Sequence, residues 1–310
     1  MRILFTTFTM SLILLTTLQA QSPKPKPVRS NLLVTTEWLA KNLNDPKIVI
    51  LQIGRDQKVY DEGHIPNARY LKYTDLVTTR DQIPNELPSV EKLQQIFSLM
   101  GVGNDSKIIL YSDVQNLLAA RVYFTLDYLG FGDQAALLDG SIDKWKSEKR
   151  ELSTSVPVIK PANFTPRLNL KVNVTREAVK DISWLNTNSE TTDTLLLDAR
   201  PAEAYDGTAK NTNLPRNGHI PGAGNVYWMD TLTSKEIPTL KAVKDLQKMY
   251  DAQGISSDKK VVTYCWIGMM ASHAYFTLKY LGYDVAMYDG AFTEWSKSEG
   301  TEVVVGKGKK

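Results

Sequence analysis

The amino-acid sequence predicts an α/β protein of two tandem domains, each a parallel sheet with helices on both faces. Two observations point to this fold class: one ordered set of motifs occurs twice, and short apolar runs alternate with segments of helical spacing. Strands that are apolar throughout and separated by helices are typical of parallel sheets covered on both sides. A length of 310 residues, 42% of them hydrophobic, suits two domains of ordinary size.

The repeated motifs keep their order and nearly their spacing in both halves. Four pairs carry the repeat: VTTE at 34–37 with VTRE at 174–177, YD and GHIP at 60–66 with 205–221, YFTLDYLG at 123–130 with YFTLKYLG at 275–282, and DG with a following tryptophan at 139–145 with 289–295. The spacing grows between the YD pair and the GHIP block, which places an insertion around residues 208–217. Such insertions lie in loops, where duplicated domains can come to differ in function.

Individual elements follow from the same patterns. Strands are predicted where β-branched and other apolar residues run together, at 48–51, 107–111, 195–197 and 260–264. Helices are predicted at 90–100, 117–129, 240–251 and 269–281, and a threonine cap is expected before the first helix of each half. The domains are therefore expected at 31–150 and 172–300, with a proline-containing linker at 151–171 and a basic tail at 301–310.

The first thirty residues differ in character from the rest of the chain. Residues 1–20 have the charged start, apolar middle and small final residue of a secretory signal peptide, with cleavage expected after Ala20. The apolar stretch is short and broken by threonines, so stable membrane insertion is not expected. Residues 21–30 form a leader rich in proline and lysine, which favours an extended tether. The chain is therefore expected to be periplasmic or secreted.

Charge and metal-ligating residues argue against two classes of function. A net charge of +3, with basic residues scattered along the chain, gives no sign of a nucleic-acid surface. Three histidines and one cysteine show no recognised metal-ligand spacing, so no metal site is expected. His64 and His219, in the two GHIP blocks, are interpreted as structural residues that tie a loop by hydrogen bonds.

Cys265 is the one cysteine of the chain, and its position suggests chemistry. It lies between the strand predicted at 260–264 and the helix predicted at 269–281, where ligands bind in parallel α/β sheets. Unpaired N–H groups of the turn would face the sulfur, so its pKa is expected to be lowered and a persulfide to be stabilised. Gly268 would let this loop curl inward. The alternative is that Cys265 is a small buried hydrophobic residue.

The corresponding residue of the first half strengthens the chemical interpretation. Alignment on the shared YFTL block places Asp113 opposite Cys265. One half then carries a nucleophile and the other a carboxylate that cannot accept sulfur. Such an asymmetric pair is more easily explained by one working site than by packing.

Together these features resemble the tandem-domain rhodanese sulfurtransferases over about residues 31–300. The resemblance rests on the two GHIP blocks, the LDAR unit at 197–200, the Cys265 unit, Asp113 and the two DG…W endings. It implies two rhodanese-like domains, the first non-catalytic and the second catalytic. It also implies that Cys265 takes a sulfane sulfur from a small-molecule donor, thiosulfate-like or other, and passes it to cyanide or a thiol, with no metal or organic cofactor.

The loop departs from the family at its charged positions. Family members that use thiosulfate carry basic residues just after the cysteine, where this chain has Trp266 and Ile267. Mercaptopyruvate enzymes of the family have a serine where Ile267 stands. An apolar rim around the sulfur therefore predicts a larger or less charged substrate.

The predicted substrate-binding residues combine the loop with two arginines. The arginines are candidates for supplying positive charge, and the alternative for each is an ion pair at the surface or at a strand end. The set consists of Arg200, Arg216, Trp266, Ile267, Gly268, Met269 and Met270.

Two other classes of function compete with sulfur transfer. A phosphatase on the same fold needs an arginine six residues after the cysteine, and Ala271 occupies that position. A catalytically decayed binding module remains the alternative, since the basic residues of the loop are missing. The donor, the acceptor and any protein partner are left open.

Overall fold

The computed structural model describes residues 27–189 and 191–308 and contains two parallel sheets, one in each half of the chain. The predicted fold class, two tandem α/β domains with helices on both faces of each sheet, is confirmed. The predicted signal peptide at 1–20 and residues 21–26 of the leader lie outside the described residues. In the part of the chain that is described, no helix has the length and apolar character needed to cross a bilayer.

The first domain is built on five parallel strands and an added hairpin. Its strands are β1 (Leu33–Val34), β2 (Ile48–Gly54), β3 (Arg69–Lys72), β4 (Thr78–Arg80), β5 (Ile83–Glu86), β6 (Lys107–Ser112) and β7 (Ala135–Leu138). Its helices are α1 (Thr36–Lys41), α2 (Gln57–Glu62), α3 (Val90–Leu99), α4 (Leu117–Tyr128) and α5 (Ser141–Ser147). The parallel sheet has the order β1-β7-β6-β2-β3, and β4 pairs with β5 in a separate antiparallel hairpin.

The second domain repeats this plan with four parallel strands. Its strands are β8 (Thr194–Asp198), β9 (Gly224–Asn225), β10 (Lys260–Tyr264) and β11 (Asp284–Met287). Its helices are α6 (Arg176–Asn188), α7 (Ala202–Tyr205), α8 (Val243–Asp251), α9 (Met269–Tyr280) and α10 (Ala291–Lys297). The sheet order is β11-β10-β8-β9, which puts β10 between two neighbours.

The predicted element bounds agree closely with the structure except at one helix. The strand predicted at 260–264 is β10, and the helix predicted at 269–281 is α9, which begins at the predicted residue. The helix predicted at 240–251 begins only at Val243, because Leu240 forms an isolated bridge with Leu232. Long-range pairing therefore overrode the local helical pattern at this point.

The two domains share one apolar core between their sheets. Helices α4 and α9, which carry the repeated YFTL block, pack against each other there, with the rings of Phe124 and Tyr275 5.3 Å apart in a T-shaped arrangement. Each sheet has a second, separate core on its outer face, around Trp145 in the first domain and Trp295 in the second. The repeat is thus a pair of domains packed through equivalent helices.

The repeated DG motifs form a reciprocal contact between the domains. Asp139 accepts a hydrogen bond from the backbone N–H of Leu240 at 3.0 Å, and Asp289 accepts one from the N–H of Leu87 at 3.1 Å. Asp139 directly follows β7 and Asp289 lies two residues after the end of β11, and each reaches a leucine of the other domain. The domains therefore meet through matched backbone-to-carboxylate bonds as well as through the core.

Residues just beyond the predicted domain ends make contacts with the domains. The Trp295 indole donates to the carbonyl of Glu302 at 2.7 Å, and Val304 forms an antiparallel bridge with His219. In the same way, the Trp145 indole donates to the carbonyl of Glu151 at 2.8 Å. Residues 151 and 302–304 are therefore bonded to the domains whose ends are predicted at residues 150 and 300.

Candidate active site

Cys265 lies at the carboxyl end of β10, on the loop that leads into α9. Its side chain is 1% exposed, at the junction of the shared core and a pocket. The loop ends at Gly268, the N-cap of α9, which has a φ of +82° and so lies in the region where a side chain is strained. The strand-loop-helix unit predicted around the cysteine is thus present, with glycine at the point where the chain turns.

Backbone N–H groups surround the sulfur as expected. The amides of Ile267, Met270 and Ala271 donate toward Cys265 Sγ, and we call these three N–H groups the amide cup. Their donors face inward because the loop and the first turn of α9 leave them without helical partners. The cup favours an anion on the sulfur, either a thiolate or a persulfide.

The loop carbonyls are held away from the sulfur by donors on the outside. The N–H of Phe292 donates to the Cys265 carbonyl at 2.8 Å. Thr293 donates to the Trp266 carbonyl through its N–H at 3.1 Å and through its hydroxyl at 2.7 Å. Because a peptide N–H points opposite to the carbonyl of the same unit, holding the Trp266 carbonyl outward turns the Ile267 N–H inward.

Burial dominates the electrostatics of the thiol. The pKa of Cys265 is raised above its usual value because burial disfavours the thiolate, although the amide cup works in the opposite direction. The negative charge of Asp198 raises the pKa further. The predicted lowering of the thiol pKa is therefore wrong: the amides are present, but the desolvation of a fully buried sulfur outweighs them.

We expect alkylation of Cys265 by iodoacetamide to have a higher pH midpoint in the folded protein than in urea. Only the thiolate reacts, and burial raises the pKa of the folded thiol, so less thiolate is present at a given pH. Whole-protein mass spectrometry reports on this residue alone, since the chain has one cysteine. If the pH midpoint of alkylation in the folded protein is at or below the midpoint in urea, the pKa of the thiol is lowered, as the sequence predicts.

The pocket above the sulfur has a volume of about 440 Å³ and is mostly apolar. Four predicted residues form its inner wall: Trp266, Ile267, Met269 and Met270. The insertion adds Asn211, Asn213 and Leu214, and the first domain adds Gln82, Pro84 and Leu117. Lys297 is the one charged residue among the described residues of the lining, and its Nζ lies 3.3 Å from the carbonyl oxygen of Gln82.

Gly268 sets the conformation of the loop and does not line the pocket. A β-carbon there would lie 2.7 Å from Arg121 Nη1 and 3.0 Å from Asp289 Oδ1. The glycine predicted to bind substrate is therefore required by the close approach of buried charged groups from behind the loop.

Arg200 is a structural residue rather than a substrate contact. Its side chain is 1% exposed, and its Nη2 lies 2.5 Å from Asp198 Oδ2 and 2.7 Å from the carbonyl oxygen of Gly218. The guanidinium also stacks over the ring of Phe292 at 4.1 Å. The prediction that Arg200 supplies charge to a substrate is corrected, since its Nε and Nη2 are bonded to Asp198 and to the Gly218 carbonyl and it does not line the pocket.

Replacing Arg200 by methionine is expected to lower the free energy of unfolding by about 3–5 kcal/mol. The change leaves Asp198, which is 0% exposed, as an unpaired buried charge. Urea unfolding at neutral pH measures the loss, and the double variant Asp198→Asn, Arg200→Met should recover part of it. If the Arg200→Met variant keeps its stability but loses activity, Arg200 contacts the substrate after all.

Arg216 is likewise engaged in holding the backbone. Its guanidinium donates to the carbonyl oxygens of Ser296, Trp295 and Ser298, at 2.8, 2.9 and 2.9 Å, and also to Thr301. These contacts fix the insertion to the end of α10. The predicted substrate contact of Arg216 is corrected for the same reason as that of Arg200: its donors are already satisfied.

The histidines have no place in the chemistry of the pocket. His64 and His219 stack on Tyr60 and Tyr205, with ring centres 3.7 Å apart in each pair, and each donates from Nδ1 to the carbonyl oxygen of that tyrosine. Their predicted structural role agrees with these contacts. His273 is buried on α9, where burial lowers its pKa to about 4, so it is neutral at physiological pH.

The equivalent loop of the first domain keeps the shape but not the nucleophile. Asn116 occupies the position of Gly268, also as the N-cap of its helix and with a φ of +60°. Asp113 directly follows β6 and so stands where Cys265 follows β10. The structure therefore agrees with the alignment that set a carboxylate opposite the cysteine.

Three residues near the sulfur escaped sequence reasoning: Lys297, Asn85 and Arg121. Arg121 left a signal, because it is a basic residue inside the apolar helix predicted at 117–129. Asn85 and Lys297 left none, since their roles depend on which segments the other domain brings close. Long-range contacts of this kind have no local pattern.

Comparison with known proteins places both halves of the chain in one family. The rhodanese-like domain model matches residues 35–148 and 181–298. The sulfur carrier protein TtuD of Thermus thermophilus is 32% identical over 286 residues, 89% of this chain and 97% of that protein. A Mycolicibacterium smegmatis protein, provisionally named a thiosulfate sulfurtransferase, is 32% identical over 288 residues, 90% of this chain and 99% of that protein.

A solved structure agrees with this placement. SseA from Escherichia coli, a 3-mercaptopyruvate sulfotransferase with the rhodanese fold, superposes with a TM-score of 0.73 at 27% identity. The superposition covers 84% of this chain and 98% of SseA. With a match in both halves and relatives that align over nearly their full length, the chain belongs to the rhodanese family and carries one rhodanese-like domain in each half.

Proposed function

We propose that this protein is a sulfurtransferase that carries a sulfane sulfur on Cys265. The observation that carries the proposal is the amide cup, which places three N–H donors around the one thiol of the chain at the base of a pocket. These donors can stabilise the negative charge of a persulfide without a metal or a basic side chain. Membership of the rhodanese family supports the same chemistry.

The reaction has two displacement steps. The Cys265 thiolate attacks the sulfane sulfur of the donor, a new S–S bond forms, and the bond to the rest of the donor breaks with its electron pair on the departing group. The acceptor, cyanide or a thiolate, then attacks the outer sulfur. The S–S bond breaks, its electron pair returns to Sγ, and the Cys265 thiolate is regenerated.

The pocket favours an organic substrate over a small inorganic anion. Trp266, Ile267 and Leu214 present apolar surface, and Lys297 alone supplies charge in the described lining. A sulfur compound with an apolar body and a single anionic group would bury that body against the rim and meet Lys297 at the mouth. The proposed donor or acceptor is therefore larger than thiosulfate, as the apolar rim predicts.

A persulfide scan tests the proposal. The purified protein is incubated with thiosulfate, 3-mercaptopyruvate or an organic polysulfide and analysed by intact mass for the gain of one sulfur atom. We expect the gain with the polysulfide to exceed that with thiosulfate, and cyanide to remove it as thiocyanate. If no donor adds a sulfur atom to the protein, the sulfurtransferase proposal fails and the alternative, a binding module that has lost catalysis, is favoured.

We further propose that the protein is exported through its first twenty residues. The charged start, apolar middle and Ala20 support this proposal. Expression of the full chain in a Gram-negative host, followed by amino-terminal sequencing of the periplasmic fraction, should find a chain beginning at Gln21. The variant Leu14→Arg, which interrupts the apolar stretch, should keep the protein in the cytoplasm, and equal export of both forms would refute the proposal.

A further inference from the structure

The first domain reaches the Cys265 loop through its β4–β5 hairpin. Asn85, on β5, donates from Nδ2 to the carbonyl oxygen of Ile267 at 2.6 Å. The asparagine is 7% exposed, has a φ of +70°, and accepts a bond from the Tyr73 hydroxyl on its other side-chain atom. A residue of one domain is therefore built to hold a peptide group of the other.

Arg121 holds this asparagine in place. The arginine is 0% exposed on α4, and its Nη2 donates to the Asn85 carbonyl at 2.7 Å. Its Nη1 pairs with Asp289, whose second oxygen accepts the N–H of Leu87. The backbone around Asn85 is thus fixed at two points to buried charges on both sides of the domain interface.

This arrangement completes the outward anchoring of the loop. Donors within the second domain hold the carbonyls of Cys265 and Trp266. The next carbonyl, that of Ile267, receives its bond from Asn85. The Ile267 residue, whose N–H belongs to the amide cup, therefore lies between two peptide units, one held by its own domain and the other by the first domain.

The two halves differ at the residues that make this contact. Aligned on Leu87 and Leu240, the two leucines that donate to the DG aspartates, Asn85 stands opposite Pro238. Proline has no side-chain or backbone donor. Arg121 stands opposite His273 in the alignment on the YFTL block. The loop that carries Asp113 thus has no counterpart to Asn85 and Arg121, although the surrounding fold is repeated.

We propose that the first domain acts as a positioning unit for the active-site loop. Asn85, held by Arg121, fixes the peptide unit between Ile267 and Gly268 and thereby keeps the loop in the conformation in which the amide cup faces Cys265. The inference rests on the proposed role of Cys265 in carrying sulfur. Asn85 is a positioning residue, because it acts on the sulfur through the loop backbone and does not touch it.

The charged groups around the thiol lie on or beside four elements, and a substitution at Asn85 leaves them unchanged. Asp198 ends β8 and Arg200 follows it, Arg121 on α4 and Asp289 after β11 lie behind the loop, and Lys297 at the end of α10 lines the pocket. Glycine at residue 85 keeps the carbonyl that Arg121 binds and accepts a φ of +70° without strain. A changed pH profile would therefore come from the lost Asn85 side chain.

The test compares Asn85→Gly with Asn67→Gly in the full chain. Asn67 is the matched control, because it has a φ of +65° and also donates from Nδ2 to a carbonyl, that of Leu43, in the first domain. In Asn85→Gly we expect the pH midpoint of Cys265 alkylation to rise. We also expect persulfide formation to slow about fivefold, the factor that corresponds to one hydrogen bond of about 1 kcal/mol. Asn67→Gly should leave both readouts at the wild-type values.

The outcomes separate this inference from the proposed function. If the wild type forms a persulfide while Asn85→Gly matches Asn67→Gly in midpoint and rate, the positioning role is refuted and the sulfurtransferase stands. If no donor loads the wild type but the alkylation midpoint still rises in Asn85→Gly, the positioning role stands and the sulfurtransferase fails. A thermal midpoint for each variant excludes general loss of structure as the cause.

Discussion

Cys265→Ser is expected to reduce sulfur transfer by more than about a thousandfold, to the background of the uncatalysed reaction. A serine hydroxyl cannot hold a sulfane sulfur, and no other cysteine in the chain can substitute for Cys265. The amide cup would remain, but it has nothing to stabilise once the nucleophile is gone. Thiocyanate release from a loaded enzyme measures the effect, and intact mass should show no added sulfur in the variant.

The fold of this variant should be retained, because serine is close to cysteine in size and the cup offers it hydrogen-bond donors. A thermal midpoint near that of the wild type would show that the loss is chemical. If Cys265→Ser and the wild type release equal thiocyanate, the activity does not come from this site. The loop and its pocket would then belong to a binding module.

Much of the site follows from the sequence because its parts are local. The strand before Cys265, the turn at Gly268 and the helix after it are consecutive, so apolar runs, a glycine and a helical period were enough to predict them. The duplication predicted the two-domain fold and showed that Asp113 occupies, in the first half, the position of Cys265. The apolar pocket wall of Trp266, Ile267, Met269 and Met270 follows from its position on the same loop.

The parts that could not be predicted depend on contacts between distant segments. Arg200 was misassigned because its partner, Asp198, is buried with it, and a sequence does not show whether an arginine at a strand end faces a ligand or its neighbour. The thiol pKa was misjudged in the same way. The amide donors are a local feature, but the desolvation that outweighs them comes from packing against the rest of the core.

The two paired domains have different roles in the duplicated fold. Equivalent helices and equivalent DG aspartates hold the halves together symmetrically. The Cys265 loop, however, receives Asn85 and the pocket residues Gln82 and Pro84 from the other half, and it lies against Arg121. A domain without a nucleophile thereby builds part of the site, which explains physically how both copies contribute to one active centre.

Gly268→Ala is expected to reduce the rate of persulfide formation by about a hundredfold, the cost of misplacing reacting groups by about 1 Å. The alanine β-carbon would meet Arg121 Nη1 at 2.7 Å, and that guanidinium cannot withdraw because Asp289 and the Asn85 carbonyl hold it. The loop must shift instead and carry the amide cup away from Sγ. Rapid-mixing measurement of persulfide formation with a polysulfide donor measures this loss.

Two further variants separate the contact from backbone strain. Gly254→Ala is the matched control, since Gly254 has a φ of +77° and no atom within 4 Å of a β-carbon there, so only the left-handed penalty of about 1–2 kcal/mol applies. Gly268→Asn relieves that penalty, as Asn116 does in the first domain, but keeps the β-carbon. We expect Gly254→Ala to turn over normally and Gly268→Asn to be nearly as impaired as Gly268→Ala. Recovery of activity in Gly268→Asn would mean that conformation alone, and not the approach of Arg121 behind the loop, requires glycine at this position.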